Sequence, residues 1–248
     1  MTWSAIVSRR DHVNDWRSER IQLIEKNLLL VTETWLADWF IDRYIQKCAR
    51  LCSISRCLSW PSQAADWKTR HRNYDWPDSA TADRVISNGC DVVHVAHPRY
   101  RQDEWESQHQ WRLSFSRAEI LLLNSWMPAQ QIVYHMLRYY VKTQCLTTYS
   151  ADKIFSNYHV KTLMLWACEL KPRSWWTGDL NVVKSCVLLL HTLAVSLTDA
   201  CCQHYFINNC NLMDHVNDWR SERIQLIEKN LLLLTETWLA DWFIDRYI

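Results

Sequence analysis

The 248 residues carry 28 basic and 27 acidic side chains, a formal charge of +1, and 48% of them are apolar. So even a balance excludes the broad positive field of an obligate nucleic-acid binder, and 10 cysteines in this length, with no secretory leader ahead of them, exclude a disulfide-built scaffold. With only two glycines, Gly89 and Gly178, sandwiches and barrels made of many tight turns are excluded as well. The expectation is a mainly α chain: a helical bundle lobe with at most one or two short strands near residues 90–97.

The chain opens on MTWSAIVSRRD, too short and polar for a secretory h-region. The longest apolar stretch, 185–198, is interrupted by His191 and is too short to span a bilayer. An intracellular setting, cytoplasmic or nuclear, is expected, with no membrane partner. Residues 11–45 then return as residues 214–248 with one change, Val31 becoming Leu234. Two copies around a unique middle are not a solenoid, which stacks several short repeats in series. Each copy carries four basic and seven acidic side chains, whereas residues 58–213 carry fifteen and thirteen. Each copy reads as one long helix, its apolar face running through Ile21, Ile24, Leu28, Val31 and Trp35 in front and Ile224, Ile227, Leu231, Leu234 and Trp238 behind. Ser18, Glu19 and Asp15 supply capping and acidic groups near the start.

Residues 46–77 read as irregular. The basic clusters Lys68/Arg70/Arg72, Arg99/Arg101 and Lys171/Arg173 read as solvated surface. Asp78-Ser79 caps a helix over Ala80–Asn88, with Gly89 placed for a left-handed C-terminal cap. CDVVHVAH (90–97) is the one convincing strand, and 98–110 a charged loop. From Trp111 onward the pattern is helical. Ser116 and Glu119 form a capping box, and Pro128 opens a helix with apolar positions 132, 133, 136, 137 and 140. Ser156 or Asn157 caps a third helix that stops at Pro172, and Thr177 or Asp179 starts a fourth, five turns long, to Leu197. HYFINNCNL (204–212) is expected to be extended and to pack on the bundle. Cys201, Cys202, His204 and Cys210 have a metal-like composition without a zinc spacing, so a buried structural role is expected of them. Cys48, Cys52 and Cys57 are a weaker grouping of the same kind.

WRLSFSRAE (111–119), FSNYHVKTLMLWAC (155–168) and HYFINNCNL, in that order, resemble the C-terminal helical lobe of the Mab-21-like family, which includes cyclic GMP-AMP synthase. The stretch WPSQAADWKTRHRNYDWPDSATADRVISNGCDVVHVAH (60–97) resembles the family's sequence just before that lobe. The resemblance implies a misplaced tail copy and linker (1–57), a segment preceding the lobe (58–110), the helical lobe (111–213) and a truncated tail helix (214–248). It further implies that Arg112, Ser114 and Ser116 match positions facing a base or phosphates, that Tyr158 matches a base-stacking residue, and that Arg138 matches a basic contact. Asn157 departs from the synthase's serine.

The family's nucleotidyltransferase lobe holds two metals with a Gly-Ser turn and strand carboxylates. Gly89-Cys90 and Gly178-Asp179 are not such turns, and Glu104 and Glu106 fall in a polar loop. NSWMPAQQ (124–131) stands where the synthase inserts a His/Cys zinc site. The expectation is therefore a chain whose catalytic lobe is absent, with no enzymatic activity, no catalytic residues, no resident metal and no cofactor. It would serve as a binding or regulatory module with weak nucleotide or nucleic-acid contact and self-association through the repeat helix. The alternatives are a fragment of a synthase-like nucleotidyltransferase, and a recent duplication or faulty gene model without selected function.

Overall fold

The computed structural model describes residues 54–94, 111–144, 155–177, 181–214 and 221–247. The front repeat copy, Cys48, Cys52, the 95–97 end of the expected strand, the loop with Arg99 and Arg101, and Gly178-Asp179 lie outside the described residues. Those described fall into two compact units, a sheet unit up to Trp126 that also holds His204–Cys210, and a helical unit of Met127–Gln203 and the chain from Asn211 onward. Mainly α is right; among the described residues the one β-sheet is a small antiparallel sheet in the first unit.

That sheet has three strands, where one or two were expected: β1 (Ile54–Cys57), β2 (Cys90–His94) and β3 (Trp111–Ser114), with β2 in the middle. Cys57 faces Cys90 and Ile54 faces Val93 across the first pair, and Asp91 faces Ser114 across the second. The outer strands were missed because ISRC and WRLS are four residues each and have no pairing partner nearby in sequence. Between β1 and β2 lie a 3-10 turn at Ser62–Ala64, α1 (Ala65–Thr69) and α2 (Ser79–Ser87); α3 (Ser116–Asn124) follows β3. Asp78 caps α2 as expected, accepting from the Thr81 amide at 2.9 Å, and Gly89 adopts φ +68°.

The core of this unit is a cluster of rings. Phe115 stacks on Phe206 at 4.6 Å, Trp67 meets Phe206 at 5.4 Å and Tyr205 at 6.3 Å, and Trp60 touches Trp67 at 5.4 Å. Two members of the first basic cluster are enlisted here and are not free surface charge. Arg70 lies over the Tyr205 ring and donates to the Tyr205 carbonyl at 2.7 Å, while Arg72 lies 4.7 Å above Trp67 and donates to its carbonyl. HYFINNCNL is likewise not extended. An isolated bridge between Gln203 and Asn211 closes it into a loop, inside which the His204 amide donates to the Cys210 carbonyl at 2.8 Å.

In the helical unit, α4 (Pro128–Thr143), α5 (Asn157–Leu170), the short α6 (Arg173–Trp176), α7 (Asn181–Thr198), α8 (Glu222–Leu232) and α9 (Glu236–Tyr247) gather round α7. The reason is compositional. NVVKSCVLLLHTLAVSLT is apolar on most of its faces, which its neighbours cover, and the stripe through Lys184, Leu188, Thr192 and Val195 stays exposed. Pro128 begins α4, and all five of its expected apolar positions are buried. Ser156 caps α5, its hydroxyl accepting from the Tyr158 amide at 3.2 Å, and the helix stops before Pro172.

The back repeat copy is two helices, where one was expected. It breaks after Leu232, and Thr235 restarts it by accepting from the Trp238 amide at 3.3 Å while the Leu234 carbonyl lies 3.1 Å from His191 Nε2. The break resets the helical phase. Ile224, Ile227, Leu231 and Leu234 are buried as expected, but Trp238 is 46% exposed, and Leu239, Trp242 and Phe243 take over the buried face. Among the described residues no helix is long and apolar enough to cross a membrane.

Candidate nucleotide-binding residues and strand carboxylate

Three of the five residues singled out by resemblance lie where β3 runs into α3. Arg112 and Ser114 are strand residues on either side of Leu113, and Ser116 is the first residue of α3. The capping box expected of Ser116 does not form. Phe115, held in the ring cluster, occupies the N-cap position, which makes Ser116 helical and leaves its hydroxyl 2.9 Å from that of Ser114. This corner presents two paired hydroxyls, the exposed Arg112 guanidinium and the positive end of a helix.

The electrostatics of the corner register on His204. Burial, with Arg112 nearby, pushes its pKa down to about 4, and its Nδ1 accepts from the Phe206 and Ile207 amides, each at 3.0 Å. His204 is thus a neutral turn-former within its own loop. Among the described residues no three His, Cys, Asp or Glu side chains are grouped so as to hold a metal ion.

On the strands themselves, among the described residues, Asp91 is the single carboxylate. Its side chain is 10% exposed and Arg117 Nε reaches both of its oxygens, at 3.2 and 3.0 Å. The pair was missed in the sequence, although Arg117 sits in the quoted WRLSFSRAE, because only the folded register brings it to a strand twenty-six residues earlier.

The other two residues belong to the helical unit. Tyr158 is in the first turn of α5, with the Lys161 ammonium 5.2 Å from its ring centroid. Arg138 is on α4, with its guanidinium 5.4 Å from the centre of the Tyr134 ring. Next to it, burial and the Arg138 charge lower the pKa of His135 to about 4.

The model for the Mab-21 protein nucleotidyltransferase domain matches residues 53–125, and that for the Mab-21 protein HhH/H2TH-like domain matches residues 129–229. The chain belongs to the Mab-21-like family. Protein mab-21-like 3 of Danio rerio is 27% identical to it over 162 residues, which cover 64% of this chain but only 37% of that protein. One expectation is corrected by the first match: the nucleotidyltransferase domain is not wholly absent, because the sheet unit up to Ser125 aligns with it. Arg112, Ser114 and Ser116 fall inside that match, whereas Arg138 and Tyr158 fall inside the second.

Proposed function

We propose that this Mab-21-like chain is a non-catalytic binding module that recognises a nucleotide through the Arg112/Ser114/Ser116 corner. The observation that carries the non-catalytic part is Asp91. Two-metal phosphoryl transfer needs carboxylates free to clamp the attacking and leaving oxygens through cations, and the carboxylate on these strands is already matched in charge and geometry by Arg117. The corner itself suits a phosphate. A guanidinium forks onto phosphate oxygens, hydroxyls fill the remaining acceptors, and a helix start favours an anion. Within the helical unit, taken by itself, Tyr158 offers a ring on which a base can stack and Arg138 offers a cation. Duplex DNA is bound weakly and loosely, because Arg70 and Arg72 are spent on Tyr205 and Trp67.

A second reading, part of an active synthase-like nucleotidyltransferase, is favoured by the match at residues 53–125 and by the small share of the relative that is covered. Incubation with ATP, GTP and Mg²⁺ or Mn²⁺, with and without duplex DNA, separates the two. The expected result is no cyclic or linear product above a buffer control, and product formation establishes the second reading.

Binding is measured separately, by calorimetry with ATP and GTP. Arg112→Ala should weaken it about tenfold or more, the loss of one charged hydrogen-bonding group. Unchanged affinity would mean that the corner is not the site.

A further inference from the structure

The back repeat copy occupies a defined seat in the helical unit. Ile224, Ile227 and Leu231 of α8 are buried, with α8 packed on α7; Thr198 of α7 donates to Glu228 at 2.6 Å, and Tyr140 of α4 meets Trp242 of α9 edge-on at 5.1 Å. Every one of these tail residues has an identical counterpart in the front copy: Ile21, Ile24, Leu28, Glu25 and Trp39. The single difference falls on a seated residue, Leu234, 8% exposed, for which the front copy offers Val31. Its backbone carbonyl, which meets His191, is available from either residue.

We infer that residues 11–45 are a second, weaker ligand for the α4/α7 seat of their own chain, able to take the place of residues 214–248. The two segments then form an exchange pair with one winner at a time. Two effects favour the back copy. One methylene more at position 234 is worth about fourfold, and the back copy follows directly on the Gln203–Asn211 closed loop, which raises its effective concentration. A free front copy from a second chain competes only at its bulk concentration, orders of magnitude below the roughly millimolar level of a short tether.

Hydrogen exchange on the full-length chain tests this, because peptides spanning Val31 and Leu234 differ in mass and are followed separately. In the native chain the Leu234 peptide should be the protected one. Exchanging the two residues (Val31→Leu with Leu234→Val) should shift the protection ratio toward the front copy by about sixteenfold, two fourfold steps. Trp242→Ala, which damages only the back copy, should raise protection of the Val31 peptide at least tenfold while α7 stays protected. The inference is overturned if the ratio does not move, if both copies are equally protected from the start, or if Trp242→Ala strips α7 of protection without rescue by the front copy. Front-copy protection that disappears on tenfold dilution assigns the occupant to a second chain and also overturns it.

Discussion

Replacing Gly89 with alanine is expected to melt the sheet unit and with it the corner that carries Arg112 and Ser114. A Cβ at position 89 would lie 2.1 Å from the Cys57 carbonyl oxygen and 2.8 Å from the Leu58 carbonyl carbon. Both are main-chain atoms at the end of β1, and they cannot withdraw without breaking the Cys57–Cys90 pairing. The backbone at φ +68° adds its own cost for any residue with a side chain. Together these amount to about 4 kcal/mol, at the upper end of single substitutions, and about 10 °C in melting temperature for a chain of this size. Differential scanning calorimetry with near-ultraviolet circular dichroism reads it out. A Gly89→Ala chain that melts within 2 or 3 °C of the native one, on the order of experimental scatter and under 1 kcal/mol, would show that β1 yields.

Acid should be the second large perturbation. His135 and His204 are both held near pKa 4 by burial, each with an arginine nearby, while an unfolded histidine titrates at about 6.5. Below pH 6.5 the unfolded chain therefore binds protons that the folded chain refuses until about pH 4, and stability falls as pH falls through that window. Above 6.5 the two groups contribute no slope. At pH 5 the loss is about 2 kcal/mol for each histidine, about 4 kcal/mol in all. His204 has a visible geometric reason to resist, since a proton on Nδ1 would oppose the Phe206 and Ile207 amides that it now accepts from. Urea titrations at pH 7.5 and pH 5 measure the difference. His135→Leu should remove about half of the pH slope, and a slope unchanged in that variant would show that His135 titrates normally in the fold.

The helices could be read from the sequence because their causes are local. Pro128 sets a start, Pro172 a stop, and the apolar period of α4 needs no knowledge of its partners. Gly89 was equally legible, since few other residues suit a left-handed cap. What escaped depends on distant chain. β1 and β3 are strands only because β2 lies between them, and Arg70 looked like surface charge because Tyr205 is 135 residues away. The break in the tail escaped for a different reason: the drifting apolar face disguised the change of phase at Leu233–Thr235. Of the Arg112/Ser114/Ser116 corner, the sequence supplies only residue identities, through the family resemblance. The hydroxyl pair of Ser114 and Ser116 follows from Phe115 taking the N-cap position, and the capture of Asp91 by Arg117 is a product of register.

The ring cluster also sets a timetable for synthesis. Trp60, Trp67 and Phe115 leave the ribosome well before Phe206, the ring that all three touch. Some ninety residues separate Phe115 from it, which at cellular rates of elongation is on the order of ten seconds. During that interval the nascent sheet has its strands but lacks the residue that joins its aromatic side chains, and holds apolar surface open to chaperones. Messages or premature stops that end translation before His204 leave this unit permanently without its keystone, however intact its strands.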